Sequence, residues 1–77
     1  MTYPTEKDRL RMLRLENFAA RHGLTAALQK AERDAQRIET LAKCRARAQL
    51  LEDRGLFRLA DPFKARQQWL VAQGVTE

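Results

Sequence analysis

Apolar positions recur along this chain at spacings of three and four, the period of an amphipathic helix. Near the start, Leu10, Leu13 and Asn17 share one line, and Met12, Leu15 and Ala19 share another, with Phe18 beside it. The face is broad, which predicts a helix over about residues 6–22 packed on more than one side. Thr5 is placed to cap it, with Asp8 as the capping-box partner and Pro4 just outside. Glu6 and Asp8 also suit the positive end of the helix dipole.

A long second helix is predicted over about residues 25–54, capped by Thr25. Its interior has neither Gly nor Pro, is rich in strong helix formers, and carries Glu39 and Lys43 as an i,i+4 pair. At 1.5 Å per residue it would be about 45 Å long. One stripe holds Leu28, Ala31, Ala35, Ile38, Ala42 and Ala46, starting from Leu24. Leu41, Cys44, Ala48 and Leu51 fall on nearly the opposite side, in the second half only. A short third helix, about residues 62–73, is announced by Asp61 as N-cap and Pro62 at the first helical position. The preceding link, residues 56–60, is apolar and is expected to pack.

Each predicted helix ends in a glycine followed by an apolar residue: Gly23–Leu24, Gly55–Leu56 and Gly74–Val75. That is the signature of a left-handed cap whose next residue folds back on the last turn. All the glycines are used this way, so none remains for a phosphate-cradling loop.

The expected fold is therefore all-α: one domain over residues 1–77, an antiparallel helical hairpin with a long central helix and a short third one. Helix 1 would lie on the first stripe, and helix 3 would return onto the second half. Leu28, Ala31, Ala35, Ile38, Ala42 and Ala46 would then stay partly uncovered, as the seam of a homodimer or a docking surface. The alternative is a three-helix monomer in which both stripes are core, although so little chain encloses a 45 Å helix poorly.

Size sharpens this picture. A 77-residue chain buries only about 60% of its unfolded surface, and small scaffolds often add a disulfide, a metal or a second subunit. Cys44 is the only cysteine and His22 the only histidine, so neither an internal disulfide nor a closed zinc site is available. Association is the remaining supplement. The opening residues show no signal-peptide core, and no apolar run approaches the roughly 18 residues of a membrane span. A cytoplasmic location is expected, with Cys44 a free thiol.

The net charge of +5 and pI of about 10.1 bring nucleic acid into view. Arginine outnumbers lysine and alanine is abundant, a bias typical of GC-rich genomes that points towards a bacterial or phage source. Lys43, Arg47 and Arg54 share a face, with Arg58 beyond the turn, while Arg9, Arg11, Arg14 and Arg21 add positive charge on helix 1. Such surfaces bind phosphates through counterion release. The turn at Ala19, Gly23 and Leu24 fits the first half of a helix-turn-helix. Gln29 and Glu32 then stand where that motif needs buried apolar residues. Glu32, Asp34, Glu39, Glu52 and Asp53 also interleave with the arginines of helix 2.

Catalytic groupings are sparse. His22 sits where helix 1 should end and suits its dipole; Cys44 lies on an apolar stripe; Glu52 and Asp53 are adjacent and face different ways. The expectation is a non-enzymatic regulator without metal or cofactor, a helical dimer that binds a larger protein and modulates or inhibits it. Lys43, Arg47, Arg54, Arg58 and Trp69 are the candidate contacts, Trp69 being otherwise a core residue beside Phe63. The alternative is a small basic DNA-binding regulator.

Overall fold

Thr5 sets the start of α1 (Glu6–His22). Its hydroxyl accepts the Asp8 N–H at 3.3 Å, and Asp8 Oδ2 accepts the Thr5 N–H at 3.0 Å. Two N–H groups at the helix start are thereby satisfied reciprocally. The computed structural model describes residues 3–76. They form four helices: α1, α2 (Leu24–Gln36), α3 (Leu41–Asp53) and α4 (Phe57–Ala72).

The turn from α1 into α2 is a single residue. Gly23 donates its N–H to the Ala19 carbonyl at 2.9 Å and adopts φ 91°, ψ 165°. Only glycine takes that conformation without strain. Leu24 is already helical, so it does not fold back on α1, and the expected cap Thr25 lies inside the first turn of α2. The fold-back cap does form after α3 and α4. Leu56 N–H donates to Leu51 O at 2.8 Å, and Val75 N–H to Leu70 O at 3.0 Å. Gly55 and Gly74 complete the pattern with bonds to Glu52 and Val71.

The long helix expected over residues 25–54 is broken in two. α2 stops at Gln36, and the Arg37 and Ile38 N–H groups tighten onto the Asp34 and Ala35 carbonyls at 3.2 and 3.0 Å. Thr40 then takes an extended conformation, and its Oγ1 accepts the Lys43 N–H at 3.3 Å, capping α3. A threonine offers the backbone this alternative to a continuous helix. Tertiary burial exploits it. The break lets the chain reverse, so that Ala27, Ala31 and Ala35 of α2 and Cys44, Ala48 and Leu51 of α3 reach one core. The longest dimension of the fold, 37 Å, is shorter than the unbroken helix would have been.

The last helix starts earlier than expected. α4 begins at Phe57, so Asp61 is not an N-cap, and Pro62 lies inside the helix. Leu59 and Ala60 explain the difference, being 1% and 0% exposed. A buried Leu or Phe is worth about 1.5–3 kcal/mol. Winding residues 57–61 into helix buries Leu59 and orients Phe63, which together offset the roughly 3 kcal/mol of an internal proline.

Around the core, α1 packs on α2 and α3, and α4 packs on the same two helices from the other side. Arg11 meets Asp34 and Phe18 meets Lys30, so α1 and α2 run in opposite senses. Asp8 meets Arg47 and Glu16 meets Arg54, so α1 and α3 run in the same sense. Met12, Leu51, Leu59 and Phe63 are the large buried side chains between them. The alanines of α2 let both flanking helices approach closely. No helix among the described residues is long and apolar enough to cross a membrane.

Candidate functional site

α2 is flanked on both sides. Its buried line, Ala27, Ala31 and Ala35, faces the core. At 100° per residue, Leu28, Glu32 and Gln36 turn to one side, towards α4. Lys30, Arg33 and Arg37 turn to the other, towards α1.

The α2/α4 side forms a groove of about 820 Å³. Leu28 and Ala35 of α2 face Pro62, Ala65 and Trp69 of α4, with Glu32, Arg58, Asp61 and Arg66 around them. Trp69 is 50% exposed, an unusual state for the largest apolar side chain of a small domain. It is nonetheless held in place. The Arg66 guanidinium stacks over its ring at 4.2 Å, and Arg66 Nε donates to the Ile38 carbonyl at 3.0 Å. Ile38 lies in the link that follows α2, so one arginine both ties that link to α4 and positions the indole. Pro62, on the same wall, has no N–H to give the Arg58 carbonyl one turn back.

The sequence-predicted contacts divide. Leu28, Ala35, Arg58 and Trp69 come together in this groove. The other candidates lie elsewhere. Arg47 is a core residue, 4% exposed, with Nε 3.0 Å from Asp8 Oδ1 and a terminal nitrogen 2.9 Å from Asp34 Oδ2. Arg54 is exposed and pairs with Glu16 at 2.7 Å. Lys43 is half-buried and shares a depression with Lys7, Arg11 and the buried Arg47, away from Arg54 and Arg58. Lys43, Arg47, Arg54 and Arg58 therefore make no common basic patch. Of the proposed seam, Ala31, Ala35, Ile38 and Ala46 are buried within the chain, at 0%, 2%, 3% and 8% exposure. Leu28 and Ala42 are half-buried.

Arg66 was not singled out by sequence reasoning. Its spacing of three from Trp69, which places an arginine beside an aromatic ring on a helix surface, is the signal that identifies it. The second surface missed is the α1/α2 cleft, lined by Arg11, Arg14, Lys30, Arg33 and Arg37. Its members lie on two helices, and only folding brings them together.

Burial pushes the Asp8 carboxyl up, but hydrogen bonds from the Thr5 N–H, Arg47 and the Thr5 hydroxyl outweigh it, and its pKa falls below the ordinary value. Burial pushes the Cys44 thiol up, only partly opposed by Arg66 and Arg47, so the reactive thiolate is disfavoured. Cys44 is fully buried, whereas His22 is exposed and packs on Phe18 with ring centroids 4.5 Å apart. Among the described residues no three of His, Cys, Asp and Glu gather as metal ligands.

No protein-family model matches the chain, no curated protein matches it, and no solved structure matches it.

Proposed function

We propose that this chain is a non-enzymatic interaction protein whose α2/α4 groove receives an amphipathic helix of a larger protein, modulating that partner by occupying its surface. The half-exposed Trp69, fixed by Arg66, is the observation that carries the reading. Trp and Arg dominate the energetics of protein interfaces, and an anchor held in place before binding loses little freedom on contact. The groove between two helices suits a third helix whose apolar side chains reach Leu28, Ala65 and Trp69. Its rim carries both signs, with Glu32 and Asp61 against Arg58, while Arg66 is engaged by Ile38 and Trp69. That balance fits a peptide bearing charges of both signs better than a polyanion.

Self-association through the Ala-rich stripe would require α1 or α4 to leave α2 and α3. The proposed module is therefore the single folded chain with its groove open.

The test uses the tagged full chain on nuclease-treated lysate beside the Trp69→Ala and Ala65→Glu variants. A captured protein is then purified and titrated onto the wild type. Because Trp69 is the only tryptophan, its emission reports the groove directly if the added partner segment lacks tryptophan. The expected result is a protein retained by the wild type, lost from both variants, and shifting Trp69 emission to the blue. Equal capture by the variants, or unchanged emission on binding, overturns the reading.

A further inference from the structure

The α1/α2 cleft lies on the side of α2 away from the Trp69 groove and has a different character. Its volume is about 490 Å³, and its lining holds five cations, Arg11, Arg14, Lys30, Arg33 and Arg37, against one carboxylate, Asp34. That carboxylate is fully engaged: Oδ1 lies 3.1 Å from Arg11 and Oδ2 lies 2.9 Å from Arg47. No carboxylate among the described residues pairs with Arg14, Arg33 or Arg37, and all three are exposed. Lys30 Nζ sits 4.6 Å above the Phe18 ring at the cleft floor. Arg54 and Lys64, away from the cleft, are by contrast each paired, with Glu16 and Glu52. Five cations thus line one concave place, three of them without a carboxylate partner among the described residues, and there the field is focused.

We propose that this cleft binds the phosphate backbone of nucleic acid, without regard to base sequence. Lys30, Arg33 and Arg37 follow one flank of α2 over about 10 Å. That row of cations is long enough to meet successive phosphates of one strand. Arg11 and Arg14 form the facing rail on α1. Guanidinium groups bind phosphate oxygens in pairs, which suits an arginine-lined track. The linear arrangement distinguishes this cleft from a pocket for a single phosphate, which would converge its donors on one point. The apolar lining residues, Leu15 and Phe18, pack into or against the core, leaving no apolar side chain of the cleft free to enter a membrane. Because the two surfaces flank α2, the nucleic acid and the proposed protein partner can be held together.

The test is fluorescence anisotropy of a labelled mixed-sequence DNA duplex with the purified full chain across a salt series. Wild type is expected to bind with log affinity falling linearly in log salt. The triple variant Arg14→Ala, Arg33→Ala, Arg37→Ala is expected to lower affinity at least tenfold and reduce the slope by about 2.7, at about 0.9 per lost phosphate contact. Its helical circular dichroism should be unchanged, because the side chains removed are exposed; the milder Arg33→Gln, Arg37→Gln pair gives the same reading if it is not. Trp69→Ala should bind the duplex as wild type does, which separates this inference from the groove. It is overturned if the duplex shows no salt-dependent binding, or if the cleft variants bind it unchanged. It is equally overturned if anionic vesicles or a phosphopeptide bind through these residues while the duplex does not.

Discussion

Arg47 and Asp8, thirty-nine residues apart, form a buried ion pair of 3.0 Å that joins α3 to the first turn of α1. The side chains are 5% and 1% exposed. A second bond from Arg47 to Asp34 at 2.9 Å brings in α2. One arginine thus ties three helices, and no buried side-chain nitrogen or oxygen among the described residues is left without a partner. An arginine in the middle of a helix reads as surface in the sequence. Here the Thr5 capping box fixes Asp8, and Asp8 fixes Arg47.

Arg47→Ala should strip the charge partner from a buried carboxylate and cost about 3–5 kcal/mol. A domain of this size has about 4–12 kcal/mol in total, so the variant should melt far earlier than wild type. The double variant Asp8→Leu, Arg47→Met should recover most of that loss, because a matched apolar pair leaves no charge stranded. Thermal unfolding followed by circular dichroism checks both. Equal loss in the single and double variants would show that the ion pair is not the cause.

Acid should weaken the fold through Asp8. Its folded pKa lies below the ordinary 3.8, so the unfolded chain binds its proton first as pH falls. The contribution is complete above that ordinary value and is lost as pH falls through the lower folded one. Asp8→Asn should be less stable at neutral pH and flatten the decline of Tm over the acid range. An unchanged acid profile would remove Asp8 as its source.

Thr40→Ala distinguishes the two-helix arrangement from a continuous helix. In a continuous helix, alanine is the better residue and the change would stabilise. As the cap of α3, Thr40 accepts the Lys43 N–H, and its loss should cost about 1 kcal/mol. That corresponds to about 4–8 °C in Tm for a domain of this size. A rise in Tm would contradict the break at residues 37–40.

Ala35→Asp should act on folding. Ala35 is 2% exposed in the single chain, and an unpaired carboxylate there would cost several kcal/mol or force its own neutralisation. Tm should fall by at least about 10 °C. A variant with wild-type Tm whose only change is a lower solution mass would instead mark Ala35 as a seam between two copies.

Local chemistry decided much of this protein by itself. The helical period, the capping box at Thr5 and Asp8, the stop glycines after α3 and α4, and the lone Cys44 on an apolar stripe were legible because each depends on residues a few positions apart. The tertiary structure decided what depends on distant partners. Residues 25–54 favour helix throughout, and only the burial available to a reversed chain, with Thr40 ready to cap, selects a break. Residues 57–61 join α4 in spite of Pro62 because Leu59 and Phe63 find a core there. Arg47 goes inside because Asp8 and Asp34 wait for it, and Trp69 stays outside because Leu59, Phe63 and Leu70 already fill the inner face of α4. The Trp69 groove and the arginine cleft both take their walls from two helices. Periodicity could name residues in each, but packing alone determined which of them meet.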